Sequence, residues 1–302
     1  MFKLRIDQYL ALILLSLVFL LPVKRVPNQE KILPEVEFSQ ISPIPVLDIN
    51  QEPESFIASL SAQSIMVIDI DSAAILLEKN PHQKLAPAST TKLLTALVAR
   101  NTFGLDDVIS IKNISPKMSH TIGFKKDEEF LVRDIFKALL INSGNDAAEI
   151  LAQNHPQGRA AFIQEMNDTA QKLHLQNSFF INPSGLDAAA HFSSAFDLSL
   201  ITREFMQDKF LKSIVGTQQA KITDKSGINQ YWLYNTNLLL GIEPGVVGVK
   251  TGTTNLAGEA LITQVERNDQ QILIMVLGSL DRYGDTKQII DWIFSHYQWI
   301  II

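Results

Sequence analysis

The sequence predicts an α/β protein of the α+β type, an antiparallel sheet flanked by helices with an all-helical subdomain inserted into it. Three observations predict this. Short apolar, β-branched runs occur near residue 64 and return near residue 259. The stretch between them is dominated by helical periodicity. An amphipathic segment then closes the chain. Strands, then helices, then strands and a last helix is the order such an insertion leaves.

Each element has its own signal. SIMVIDI (64–70) and AILLEKN (74–80) read as a first hairpin. From Ser89 the period changes, and Leu93, Leu94, Leu97 and Val98 share one helical face. Segments 132–141, 146–154, 158–174 and 198–207 are predicted helical, the last opened by a capping-box-like start, Ser194-x-x-Asp197. The turn Asn182-Pro183-Ser184-Gly185 reads as structural. EALITQVE (259–266) and QQILIMVLG (270–278) flank the polar turn Arg267-Asn268-Asp269 and read as a second hairpin. DTKQIIDWIFSHY (285–297) is the closing helix.

The N-terminal quarter is different. Lys3 and Arg5 precede an apolar run, residues 9–23, which Lys24 and Arg25 follow. This has the shape of a signal sequence with a basic and then an apolar region. No small-residue cleavage site follows the run. The expectation is therefore an N-terminal anchor in residues 1–25, attaching an extracytoplasmic protein to the membrane, with secretion after cleavage as the alternative. Residues 26–60 hold five of the chain's 12 prolines and read as a Pro-rich linker. Residues 61–302 are expected to form the catalytic domain.

Composition narrows the chemistry. The chain has 302 residues, a net charge of −6 and no cysteine. The charge gives no reason to expect nucleic acid as a partner. Without Cys there is no disulfide, thiolate nucleophile or Cys-based metal site. The six histidines show no zinc-protease spacing, so neither metal nor other cofactor is expected.

Three short motifs remain. Ser89-Thr90-Thr91-Lys92 opens a predicted helix, Ser143-Gly144-Asn145 lies between two helices, and Lys250-Thr251-Gly252 sits in a strand. At i and i+3 the heads of Ser89 and Lys92 can meet. A serine hydroxyl becomes nucleophilic when a neighbour takes its proton. Lysine can be that base when burial or a second cation lowers its pKa, and Lys250 could be the second cation. Ser143 can relay a proton and Asn145 can hydrogen-bond a substrate amide. Lys250 and Thr251 on a strand edge could hold an anionic group of an extended peptide.

These motifs in this order resemble penicillin-binding proteins and related β-lactamases. The flanking text LAPASTTKLLTALVA, ALLINSGNDAAE, FINPSGLD, HFSSAFDL, GVVGVKTGTTNLAG and GSLDRYGDTKQIIDWIF is similar to the low-mass D-alanyl-D-alanine carboxypeptidases over about residues 61–300. The resemblance implies a β-lactamase/DD-peptidase-like fold. It makes Ser89 the acylated nucleophile, Lys92 its base and Ser143 a proton relay. It assigns substrate binding to Asn145, Lys250, Thr251, Gly252, Thr253 and Arg282. The backbone N–H groups of Ser89 and Thr253 would form the oxyanion hole, and Arg282 would meet the substrate's terminal carboxylate. Implied partners are peptidoglycan stem peptides, with β-lactam antibiotics as covalent inhibitors. Two departures are visible. Position 253 is Thr where some relatives carry His, and the chain stops at its last helix, so any anchor is expected at the N-terminus.

The leading expectation is a penicillin-sensitive carboxypeptidase removing the terminal D-alanine from stem pentapeptides through an acyl-enzyme on Ser89. A DD-endopeptidase acting on cross-links and a non-catalytic wall-binding or penicillin-sensing module are the alternatives. No Glu-x-x-x-Asn element follows Ser143, which disfavours a β-lactamase. His191, Ser194 and Asp197 are rejected as a triad, because Ser194 and Asp197 serve as a helix start.

Overall fold

The computed structural model describes residues 43–301 apart from Ile49, Asn113, Ile114, Pro116 and Lys117. In chain order the elements begin with β1 (Ile44–Leu47), α1 (Pro53–Ser59), β2 (Ser64–Asp69) and β3 (Ile75–Lys79). A single 3₁₀ turn (Ala88–Thr91) leads into α2 (Lys92–Thr102). The strands β4 (Val108–Ser110) and β5 (Glu129–Leu131) precede α3 (Val132–Leu140), α4 (Asn145–Asn154) and α5 (Gly158–Lys172). Next come α6 (Ala195–Gln207), α7 (Lys209–Val215), β6 (Gln219–Thr223) and β7 (Gln230–Tyr234). The chain ends with β8 (Val246–Thr254), β9 (Gly258–Arg267), β10 (Gln270–Ser279), α8 (Arg282–His296) and β11 (Tyr297–Ile300).

Five strands form one antiparallel sheet in the order β3-β2-β10-β9-β8. The period of two along a strand sends alternate residues to opposite faces. In β10, Leu273, Met275 and Leu277 face the helical block and share one core with Leu93, Phe136, Ile150 and Phe205. Ile272, Ile274 and Val276 face the other way, against Ile289, Ile290 and Ile293 of α8 and the flank of α1. The sheet is therefore covered on both sides. That explains why β2 and β10 read as continuous apolar runs rather than as alternation.

The expected α+β arrangement is present. Its details differ at three places. The helix expected from Ser89 starts as the 3₁₀ turn, and α2 proper begins at Lys92. Moreover α2 is buried on every side from Lys92 to Ala99, because α3, α4, α5 and α6 pack around it. A helix enclosed in this way needs no polar face. The expected linker, 26–60, carries β1 and α1 from Ile44 onward, and β1 pairs with β11, Ile44 opposite Ile300. Two of its prolines fit these elements. Pro53 lies in the first turn of α1, where its missing N–H costs nothing, and Pro45 sits in a two-stranded ribbon. The capping reading of Ser194 agrees with the structure, its Oγ accepting from Asp197 N at 3.1 Å.

The expected membrane attachment is corrected. No helix among the described residues is long and apolar enough to cross a membrane. The run 9–23 on which that expectation rested lies outside the described residues and has only fifteen residues, against the roughly 20 a spanning helix needs.

Candidate active site

The 3₁₀ turn, the α3–α4 connection and the outer edge of β8 converge on one cleft of about 600 Å³. Backbone conformation brings them there. Ala88, just before Ser89, has φ +48°, and Ser143 has φ +57°, both in the left-handed region that side-chain-bearing residues avoid. Such residues persist when the surroundings overdetermine them, and they gather at functional sites. Two glycines make the close approach possible. A Cβ on Gly185, at φ +85°, would fall 1.7 Å from Ala88 O. A Cβ on Gly252 would fall 3.0 Å from Ser89 N, so the Lys250-Thr251-Gly252 strand lies directly against the Ser89 amide.

Lys92 opens α2 and is fully buried, with its Nζ 2.7 Å from Ser89 Oγ, 2.7 Å from Asn145 Oδ1 and 2.8 Å from Ser184 O. Two of these partners, the amide oxygen and the carbonyl, can only accept. A neutral lysine has two N–H groups and one lone pair. With both N–H groups on Asn145 Oδ1 and Ser184 O, the lone pair is left for the Ser89 hydroxyl. Asn145 is held in the required orientation because its Nδ2 donates to Ser119 O at 2.8 Å. Burial lowers the Lys92 pKa well below the ordinary lysine value, the nearby Lys250 charge lowers it further, and Asp146 opposes both.

Lys250 stands in mid-strand on β8, also buried, and donates to Ser143 Oγ at 2.7 Å and Thr251 O at 3.1 Å. Burial, helped by the Arg282 charge, brings its pKa down to about 7. Thr251 Oγ1 is 2.6 Å from Thr236 Oγ1. Arg282, at the start of α8, donates through Nη1 to Gly252 O and to Thr253 Oγ1, each at 2.7 Å, and its Nη2 lies 3.6 Å from Glu259. Ser89, Ser143, Asn145, Thr251, Gly252, Thr253 and Arg282 all line the cleft, while Lys92 and Lys250 lie beneath its floor. All nine residues singled out from the sequence are thus brought together.

Other lining groups were not legible. Thr236 carries no motif. The Asn182-Pro183-Ser184-Gly185 turn is built as expected, Asn182 Oδ1 accepting from Gly185 N at 2.8 Å, yet its Ser184 carbonyl also reaches Lys92. His120 enters from the 118–124 segment, its Nε2 donating to Asn142 O at 2.9 Å. That bond fixes its tautomer. Burial lowers its pKa, as do Lys92 and Lys250 more weakly, against the raising effect of the Asn142 bond. His191 is buried, with Nε2 2.9 Å from Thr91 Oγ1 and Nδ1 accepting from Ile181 N, so it braces the nucleophile turn from behind. No group of three or more His, Asp or Glu among the described residues could hold a metal ion.

A model of the D-alanyl-D-alanine carboxypeptidase family matches residues 49–280. The chain is 30% identical over 246 residues to D-alanyl-D-alanine carboxypeptidase DacF of Bacillus subtilis, a match covering 78% of this chain and 63% of that protein. The chain thus spans less than two thirds of that relative's length. Among solved structures, the Streptomyces K15 DD-transpeptidase superimposes with a TM-score of 0.74 at 27% identity, covering 78% of this chain and 98% of that one. Penicillin-binding protein D2 of Listeria monocytogenes in its ampicillin-bound form gives a TM-score of 0.68 at 29% identity, over 78% and 98% of the two chains.

Proposed function

The chain belongs to the D-alanyl-D-alanine carboxypeptidase family, and from that premise we propose that it is a serine-type, penicillin-sensitive peptidase that removes the terminal D-alanine from peptidoglycan stem pentapeptides. One observation carries this reading. Lys92 Nζ lies 2.7 Å from Ser89 Oγ, with its two other contacts made to obligatory acceptors. A buried amine in that setting is arranged to receive the serine proton.

The proposed steps combine this geometry with the roles that the family resemblance implies. Ser89 Oγ attacks the carbonyl of the penultimate residue as its proton passes to Lys92. Negative charge forms on the carbonyl oxygen and is met by the Ser89 and Thr253 N–H groups, in the oxyanion arrangement. The departing amine of D-alanine takes a proton through Ser143, whose Oγ receives a hydrogen bond from Lys250. The product's carboxylate is held by Thr251, Thr253 and Arg282. The acyl-enzyme is then hydrolysed by water, returning Ser89 to its starting state. A β-lactam would enter the same path as far as the acyl-enzyme, in keeping with the ampicillin-bound Listeria neighbour.

Purified protein incubated with a stem pentapeptide is expected to give tetrapeptide and D-alanine, and Ser89→Ala is expected to abolish this and the covalent labelling by a fluorescent penicillin. A folded protein yielding no product, or undiminished product from Ser89→Ala, would sink the proposal. Release from cross-linked dimers in place of pentapeptide would reassign the chain to endopeptidase action.

A further inference from the structure

The cleft lining carries both an arginine and a carboxylate. Arg282 lies against β8, bonded to Gly252 O and Thr253 Oγ1. Also lining the cleft is Asp187, the one carboxylate among the described residues there. Asp187 Oδ2 accepts from Leu256 N at 3.0 Å, which ties its loop to the β8–β9 turn. Its other oxygen has no protein partner among the described residues, and no ion pair involves it. His191, which feels the Asp187 charge, has its pKa brought down by burial to about 4 against the raising effect of that charge, and both its ring nitrogens are taken by Thr91 and Ile181.

We propose that Asp187 forms a subsite for a protonated amine on the substrate residue just ahead of the D-alanyl-D-alanine pair. This rests on the carboxypeptidase reading above. β8 is an edge strand, paired on one side with β9. An extended peptide would lie antiparallel along its free edge. With the terminal carboxylate at Thr251 and Thr253, moving toward the substrate's N-terminus moves toward Thr254 and Asn255. At about 3.4 Å per residue, the residue ahead of the pair lies roughly 7 Å along from the terminal one. That places it between Asn255 and the loop bearing Asp187, both of which line the cleft. A flexible amine-bearing side chain at this position meets the open carboxylate oxygen, whereas an apolar or acylated one leaves it unpaired.

Two peptides test this, Nα-acetyl-L-lysyl-D-alanyl-D-alanine and its Nα,Nε-diacetyl counterpart, which differ only in the free amine. The wild-type protein is expected to favour the free amine in kcat/KM by about three- to tenfold, the range of a partly exposed charge-assisted contact. Asp187→Asn keeps an oxygen for Leu256 N and removes the charge, so the ratio should fall to within about twofold of one. The same peptides are also run as competitors of fluorescent-penicillin labelling at Ser89, where the same ratios are expected. A wild-type ratio near one, or a ratio unchanged by Asp187→Asn, overturns the subsite. Turnover of neither peptide overturns carboxypeptidase action alone, because competition still reads the subsite.

Discussion

The two walls of the cleft differ in backbone and share a buried lysine each. The helical wall holds Lys92, Ser143 and Asn145 buried, with Ser89 half-buried on its turn. Ala88 and Ser143 take left-handed backbone, and Lys92 is enclosed with every contact defined. The sheet wall is a regular edge strand. Thr251, Gly252 and Thr253 continue the β8–β9 register without interruption, opposite Leu261, Ala260 and Glu259. Arg282 reaches across from α8 to this edge. The difference teaches a division of labour. On the proposed mechanism, left-handed non-glycine backbone belongs to the helical wall, burial shifts a lysine on each wall, Lys92 at the head of α2 and Lys250 within β8, and the free edge of β8 beyond Lys250 is left for an extended peptide.

This comparison can be broken experimentally. The largest effect is expected on the helical wall. Lys92→Met keeps the volume and removes the base, so kcat should fall about 10³-fold while the protein still binds peptide. Steady-state kinetics with a pentapeptide would check this. A rise in KM at unchanged kcat would mean that Lys92 belongs with the binding wall instead. On the sheet wall the effect should be smaller and of the other kind. Arg282→Gln removes the charge facing the carboxylate, and KM is expected to rise on the order of tenfold with kcat little changed.

The pH dependence sharpens the contrast. On the proposed mechanism Lys92 acts when neutral, so activity is expected to rise with pH through its lowered pKa. On the same mechanism Lys250 acts when charged, so activity is expected to fall as pH rises through about 7. Arg282 contributes to that lowering, after burial, and Arg282→Gln should move the falling limb to higher pH. Stability runs the other way. The folded Lys250 pKa is depressed, so between about 7 and the ordinary lysine value the unfolded chain binds the extra proton. Lys250 therefore makes stability rise with pH across this window, with its burial cost present in full below it. Denaturation midpoints and kcat/KM measured from pH 6 to 10 would follow the two opposed trends.

Legibility followed the strength of local patterning. The β9–β10 hairpin was readable because two long apolar runs flank a polar turn, and the structure extends them by a residue or so to Gly258–Arg267 and Gln270–Ser279. The β6–β7 hairpin was not readable, because each of its strands buries a single residue, Ile222 and Leu233, and so has almost no period to detect. Lys92 was readable as the partner of Ser89 by motif, and Lys250 as a second cation and a holder of an anionic group. That Lys250 bonds Ser143, and not Ser89, is a long-range pairing that no local pattern encodes. Thr236 and the Ser184 carbonyl belong to the same class, since backbone groups and unpatterned threonines acquire a role only by placement.

By itself, then, the sequence determined which chemical groups are available and the order in which the chain presents them. Those groups are a serine three residues ahead of a lysine, a second Ser-x-Asn pair and a second lysine in a strand. It also determined the strand–helix–strand plan, because periodicity and turn residues act over a few positions. The tertiary structure alone decided the charge states. Both lysines have ordinary side chains, and their pKa values fall because folding takes them out of water and sets them near other cations. It also decided that Gly185 and Gly252 close the walls to contact distance, because their constraint comes from residues far away in the chain.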